Sequence, residues 1–314
     1  MFAGLFIRCV IGIIIKIKYT VIGENMRYNG IIEGTTGDFN SEINKLKEVF
    51  QNADAIIVGA GAGLSSSAGY DFGGERLQKY FSDFVEKYGM KDMYTGCFAD
   101  FETNEERWAY WSRWAWINRY EPIPKDTHKK LLKLLEEKDY FVLTTNIDHT
   151  FQRSGFPKEK LCYTQGDFGL FQCSTPCHTD TYDNYATLKK MVREEKNMSV
   201  PTKLIPHCPK CGREMDFNLF WDDTFVRDKG WHIAHKRYTD YIEQHKKGKV
   251  LYLELGVGFN SPGVIKIPFW NMAAENPDAV FASVNLTLPC YPEILERRSI
   301  VIQDDIDHVI ENLI

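Results

Sequence analysis

The 314-residue sequence has no excess of basic charge. Its 38 lysines and arginines stand against 43 acidic residues, and no basic run is interleaved with aromatics. A formal charge of −5 provides no field to gather a phosphate backbone, so nucleic-acid binding is not expected. There is no internal repeat and no low-complexity segment, which argues against a solenoid or a linker-like chain. Nor is there an apolar run of the roughly 20 residues that a membrane-spanning helix needs. The most apolar stretch, 1–15, is interrupted by Arg8 and followed by Lys16 and Lys18. It also lacks the basic start of a secretory signal. Met26 is a plausible alternative start, and residues 1–40 are expected to be an extension that is flexible or not native. A membrane-surface anchor and a targeting segment are the other readings of this stretch.

What is present fits a soluble protein with a sizeable core: 44% apolar and 26% charged residues. The length suits one large α/β domain with insertions, or two modest domains. Eight cysteines could serve disulfides or a metal. Cys9, Cys97, Cys162 and Cys290 are scattered, whereas Cys173 and Cys177 (CSTPC) and Cys208 and Cys211 (CPKC) form two close pairs. Such pairing in a large chain favours a metal in a reducing, cytoplasmic setting. Four thiolates on two turns suit tetrahedral zinc and leave no open position, so the ion is expected to be structural. His178 and His207 flank the pairs as competing ligands, and four unpaired surface thiols are the bland alternative.

Hydrophobic patterning predicts a helix over 41–51, with Ile43, Leu46, Val49 and Phe50 on one face. A short apolar run, 53–58, reads as a buried strand. Further strands are expected at 140–145, 250–255, 280–284 and 299–302, with helices over 127–138 and 231–247. Near-continuous apolar strands alternating with helices imply a parallel sheet covered on both faces. Two stretches break the pattern. One is 75–120, whose WAYWSRWAW segment at 108–116 has helical spacing and suits the core of a small helical module better than a ligand cage. The other is 172–213, with the paired cysteines.

The first strand runs into GAGAGLSSSAGYDFGGER, 59–76. Strand, glycine-rich turn and helix open a nucleotide-binding unit, in which backbone amides at the helix start can hold a pyrophosphate. The motif is not a strict GxGxxG, because Leu64 stands at its sixth position, and a tight turn without a ligand is the alternative. At the end of the strand near 140–145, Asn146 and Asp148 would face the crevice. Asn146 could orient a ribose hydroxyl or a nucleophile, and Asp148 could accept from a ribose hydroxyl or an amide. Both could instead cap the following helix.

Taken in order, these segments resemble the sirtuins. The matching residues are Gly59, Ala60 and Gly61 of the GAG loop, then Asp71 and Phe72, with Arg76 a few residues late. Tyr70 and Gly73 stand where the family has proline and arginine. TTNIDHTF at 144–151 and GVGFNSPG at 256–263 follow in order. Asn285 ends the next strand, and Asp305 lies after the last one. The resemblance covers most of the chain from about residue 41. It implies an NAD-consuming enzyme with a Rossmann-like doubly wound parallel sheet. A helical module (about 75–125) and a small zinc-ribbon module (about 170–213) are inserted into one domain, 41–314. NAD is the implied co-substrate, contacted by Gly59, Ala60, Gly61, Gly63, Leu64, Asp71, Phe72, Arg76, Asn146, Asp148, Gln165, Gly256, Val257, Gly258, Asn260, Asn285 and Asp305.

One departure sharpens the resemblance. Deacylating sirtuins carry a His-Gly step whose histidine is a general base, and here the step is Gln165-Gly166. Glutamine cannot take a proton near neutral pH, and losing a general base costs roughly 10²–10⁴-fold in that step. His149 is expected to face the following helix rather than replace the base. With Gln-Gly, the chain is similar to the macrodomain-linked (class M) microbial sirtuins. Those are protein ADP-ribosyltransferases whose target is a lipoylated glycine-cleavage H-like carrier protein, and a partner macrodomain hydrolase reverses the mark. On that resemblance Asn146 and Gln165 form the catalytic pair. NAD-dependent deacylation is the alternative function. A non-catalytic NAD sensor and an NAD hydrolase are further readings.

Overall fold

The computed structural model describes residues 30–314, except 261 and 288, so the apolar run at 1–15 and Met26 lie outside the described residues. The elements run β1 (Ile31–Glu33), α1 (Phe39–Asn52), β2 (Ala55–Ala60), α2 (Ala62–Ser67), α3 (Gly74–Tyr88), α4 (Met93–Gly96), α5 (Asn104–Arg119) and α6 (Thr127–Leu135). Next come β3 (Tyr140–Thr144), α7 (Thr150–Arg153), β4 (Leu161–Tyr163), β5 (Gly166–Cys173), β6 (Tyr182–Asp183), α8 (Tyr185–Glu194) and β7 (Met215–Leu219). The chain ends with α9 (Lys229–Gln244), β8 (Val250–Leu255), α10 (Lys266–Glu275), β9 (Val280–Val284), β10 (Cys290–Pro292), β11 (Ser299–Ile302) and α11 (Ile306–Leu313).

Six strands form a parallel sheet in the order β11-β9-β8-β2-β3-β4. The central strands β2, β3 and β8 are buried along their whole length, as their near-continuous apolar runs lead one to expect. One core lies between this sheet and α1, α6 and α11, and includes Leu46, Val58, Leu131 and Ile310. A second covers the opposite face, where Phe269 and Trp270 of α10 pack on Tyr252 and Phe281. The sheet is therefore doubly wound. The expected strands at 250–255, 280–284 and 299–302 match β8, β9 and β11.

Within the expected extension 1–40, β1 pairs antiparallel with β10, and Gly34 N–H donates to Pro289 O at 2.9 Å. A three-residue strand has too little periodicity to be read alone, and its partner lies at the far end of the chain. The helical and cysteine modules share one core. Helix α5 is buried on every face, which a helix reaches only when elements surround it. Trp108 meets Phe171 of β5 and Phe217 of β7, with ring centroids 5.7 and 5.8 Å apart. The antiparallel sheet β6-β5-β7 carries the cysteines and begins at 166, ahead of the expected boundary near 170. Among the described residues no helix is long and apolar enough to cross a membrane.

Candidate functional site

The chain passes from β2 to β3 and β4 on one side, then crosses to β8 and β9 on the other. The switch point lies between β2 and β8, and ligands of open parallel sheets bind outside the carboxyl ends of the strands at such a point. Two glycine turns meet there. Gly61 N–H donates to Leu255 O at 3.0 Å and Gly63 N–H to Gly256 O at 2.9 Å. A Cβ on Gly61 would lie 2.7 Å from Gly256 O, and one on Gly63 would lie 2.6 Å from the Gly256 Cα. Gly256 itself has φ +63. These glycines let two backbones touch at the floor of the crevice.

The amides of Gly61 and Gly63 are thus already paired, and Leu64 N–H donates to Gly61 O at 3.0 Å. Side chains account for three other residues of the motif. Gly59 leaves room for Ile265 and Phe269 of the α10 face, and Ala60 and Leu64 are buried in the main core.

At the end of β3, Asn146 donates its side-chain amide to Gly61 O at 2.9 Å, and its backbone N–H donates to Thr144 Oγ1 at 3.0 Å. Asp148 is buried. It accepts from the Thr150 N–H (2.8 Å) at the start of α7 and from Ser65 Oγ (2.5 Å) in α2. Asp148 thus meets the first amide of α7, whereas the hydrogen bonds of Asn146 run to Gly61 and Thr144. Gln165 is half-buried, and its carbonyl accepts from Phe220 N–H at 3.1 Å. The next residue, Gly166, has φ +91, and a Cβ there would lie 1.8 Å from Asn218 O. His149 departs from expectation. Its Nδ1 faces Asp167 of β5 instead of the following helix, because its left-handed backbone (φ 62) swings the ring towards the cysteine sheet.

The loop after β8 is tied at Val257, whose carbonyl accepts from Asn285 Nδ2 at 3.2 Å, while Gly258 and Asn260 are exposed. Asp305 caps α11, accepting from Asp307 N–H at 3.0 Å and from Ser67 Oγ at 3.0 Å. Arg76 is committed within the helical lobe. It donates to Asn118 Oδ1 (3.0 Å) and Ile117 O (2.9 Å) at the end of α5, and to Asp71 O (3.3 Å). Burial lowers its pKa. Phe72 lies edge-on to Trp114, 6.1 Å between centroids, at the same lobe. Asp71 is exposed beside it.

Sequence reasoning missed Ser65, Asp167 and His128. Ser65 lies inside the small-residue stretch already singled out, and Asp167 follows Gln165 by two positions. His128 is buried against Phe151, 4.8 Å between ring centroids, with both ring nitrogens unpartnered. Burial pushes its pKa down to about 4. No local signal marks it, because its environment is built by α7.

The ligand atoms of Cys173, Cys177, Cys208 and Cys211 all lie within 4.8 Å of one another. The Cys173–Cys211 and Cys177–Cys208 Sγ pairs are 3.6 and 3.7 Å apart. Thiolates about 2.3 Å from a tetrahedral zinc stand roughly 3.8 Å from each other, so the donor set fits. His178 instead contacts Cys177 Sγ (3.0 Å) and Tyr182 OH (2.7 Å), and His207 contacts Ile205 O. Neither joins the cluster, whose four sulfurs fit a structural zinc.

A profile of the Sir2 family matches residues 61–241. A Staphylococcus aureus protein named "Protein ADP-ribosyltransferase" is 35% identical over 266 residues, 84% of this chain and 84% of that protein. A Fusarium oxysporum f. sp. cubense protein, named "Probable bifunctional ADP-ribose hydrolase/ADP-ribosyltransferase", is 32% identical over 234 residues. That match takes in 71% of this chain but 38% of the longer fungal protein. Among solved structures, one described as "The Structural basis of Sirtuin Substrate Affinity" aligns with TM-score 0.55 at 17% identity. It covers 86% of this chain and 97% of its own. Another, from work on the mechanism and regulation of Sir2 enzymes, aligns with TM-score 0.53 at 20% identity over 88% and 97%. At such identities the structures speak for the fold alone.

Proposed function

The chain belongs to the Sir2 family, and on that premise we propose that it is an NAD-dependent protein mono-ADP-ribosyltransferase that releases nicotinamide. The observation that carries the reading is Gln165, standing beside Gly166 where deacylating relatives have their basic histidine. A glutamine side chain can orient a hydroxyl or an acceptor by hydrogen bonds but cannot remove its proton. The names of the two relatives, both including ADP-ribosyltransferase, support the same activity.

In this reading NAD lies over the carboxyl ends of β2, β3, β8 and β9. The bond between nicotinamide and its ribose breaks, nicotinamide leaves, and a nucleophile of the acceptor protein forms a new bond to the same ribose carbon, losing its proton to solvent. The protein contributes position. Asn146, tethered to Gly61, offers its Oδ1 to a ribose hydroxyl or to the attacking group. Gln165 holds the group opposite. Asp148, fixed by Ser65 and Thr150, keeps the turn that carries Asn146 in place. Holding reactants in attack geometry can supply a large part of such a rate. The contacts expected of Gly61, Gly63, Asp71, Phe72, the 256–260 loop, Asn285 and Asp305 belong to this proposal, whereas Arg76, bonded to the end of α5, is left out of it.

We further propose that the acceptor is a lipoylated glycine-cleavage H-like carrier protein and that a macrodomain hydrolase reverses the modification. The resemblance to class M sirtuins motivates both, and the bifunctional name of the fungal relative is in keeping with the second.

The test is incubation of the chain with labelled NAD and cell lysate, followed by intact mass analysis of labelled proteins. Addition of one ADP-ribose unit, lost in Asn146→Ala and in Gln165→Ala while NAD binding is kept, is the expected result. Full activity in Gln165→Ala would remove its assigned role. Nicotinamide release with loss of acyl groups from a peptide, and no labelled protein, would assign the chain to the deacylases.

A further inference from the structure

Three parts of the molecule meet at one buried carboxylate. Asp167 is the second residue of β5, in the cysteine sheet, two positions beyond Gln165. One of its oxygens accepts from Nε of Arg119 at 2.8 Å and from the Gly169 N–H at 2.6 Å. Arg119 is the last residue of α5, in the helical lobe. The other oxygen faces Nδ1 of His149, which precedes α7 in the parallel-sheet core. Burial raises the Asp167 pKa, but the hydrogen bond and charge of His149, and then Arg119, outweigh it and hold the carboxyl below its ordinary range. Asp167 is therefore an anion gripped from both sides.

His149 has an unusual backbone for this contact. Its φ of 62 lies in the left-handed region, which a residue with a Cβ adopts at a cost, and such outliers persist where the surroundings hold them. Its imidazole makes no cap hydrogen bond to the helix it precedes. The same turn carries Asn146 and Asp148. A backbone bond runs beside the side-chain link, from Phe168 N–H to Ile147 O at 2.9 Å.

We propose that His149 is a positioning residue which, through Asp167 and its anchor Arg119, sets the placement of Gln165 relative to Asn146. This inference rests on the reading of Asn146 and Gln165 as the groups at the reacting centre. Gln165 has no proton chemistry to offer, so all of its contribution is orientation, and orientation decays steeply with displacements of about 1 Å. A link that joins the Asn146 turn to the Gln165 strand, braced from a third element, is the support such a site requires.

The test uses His149→Gly and His149→Asn in the full chain. Glycine accepts the left-handed backbone freely and asparagine tolerates it, so both variants keep the turn. Glycine removes the donor to Asp167, and asparagine retains a shorter one. For His149→Gly we expect an unchanged melting temperature and KM for NAD. We also expect kcat for nicotinamide release and acceptor labelling to fall roughly 10- to 100-fold, with partial recovery in His149→Asn. Backbone amide exchange at 165–168 should accelerate in His149→Gly. Wild-type kcat, or a raised KM with kcat intact, would overturn the positioning role. Unchanged exchange at 165–168 would overturn the link itself. A wild-type chain that labels no protein would sink the proposed transferase, while the exchange measurement would still decide the link.

Discussion

Asn146 donates its side-chain amide to the carbonyl of Gly61 at 2.9 Å, tying the end of β3 to the glycine turn that follows β2. One hydrogen bond thus orients the residue assigned to the reacting centre and joins it to the expected cofactor turn. Replacing Asn146 by alanine should lower steady-state nicotinamide release by about 10²-fold, the typical cost of losing one well-placed polar group. The melting temperature should move little, since the net worth of one such bond is about 1 kcal/mol. Near-normal release would make Asn146 a tether only.

The contact between the two glycine turns should tolerate no side chain. In Gly63→Ala the new Cβ would lie 2.6 Å from the Gly256 Cα, and neither backbone can move without disturbing β2 or β8. Chemical denaturation should register a loss of about 1–3 kcal/mol, and calorimetry should show weaker NAD binding. Gly258→Ala is the control for the stability loss, because nothing lies within 4 Å of a Cβ there.

Arg76 should prove a strut of the helical lobe. Its guanidinium bonds Asn118 and Ile117 and lies over Tyr70 and Tyr80. Arg76→Ala should cost about 2 kcal/mol in urea unfolding while the NAD affinity changes by less than about threefold. A much larger loss of affinity would return the residue to the cofactor site.

Zinc should be present at one ion per chain by elemental analysis. Metal binding is folding energy for such a module, so Cys208→Ser or strong chelation should destabilise it by about 4 kcal/mol or more. The cysteine sheet shares its core with Trp108 and Trp111. Metal loss should therefore also shift tryptophan emission to the red, and an unchanged emission would separate the two modules.

His128 predicts a pH dependence. Burial holds its folded pKa at about 4, while an unfolded histidine titrates near 6.5. Between these values the unfolded chain takes up a proton that the folded chain does not. Stability is therefore full above about pH 6.5 and declines as the pH falls towards 4, by up to about 3 kcal/mol. His128→Phe, which leaves no unpartnered ring nitrogen beside Phe151, should flatten that decline in urea titrations at pH 7 and pH 4.5. The same slope in both proteins would refute the assignment.

Much of the core was legible because its signals are local. Near-continuous apolar runs at 250–255, 280–284 and 299–302, too short for buried helices, read as strands of a covered sheet, and they are β8, β9 and β11. The two cysteine pairs marked a four-thiolate site because zinc geometry demands closely spaced ligands. The aromatic segment at 108–116 was legible as a helix, but not that the cysteine sheet would surround it.

The sequence alone therefore determined the alternation of strand and helix, the glycine turn, the zinc ligands and the Gln165-Gly166 step, since each depends on residues within a short span. Tertiary structure decided what each polar group faces. It closed β1 onto β10, committed Asp148 and Asp305 to helix caps, drew Arg76 to α5 and joined His149 to Asp167 and Arg119. A buried hydrogen bond forms with whichever partner the packing brings within about 3 Å, and that distance is set by elements far apart in the chain.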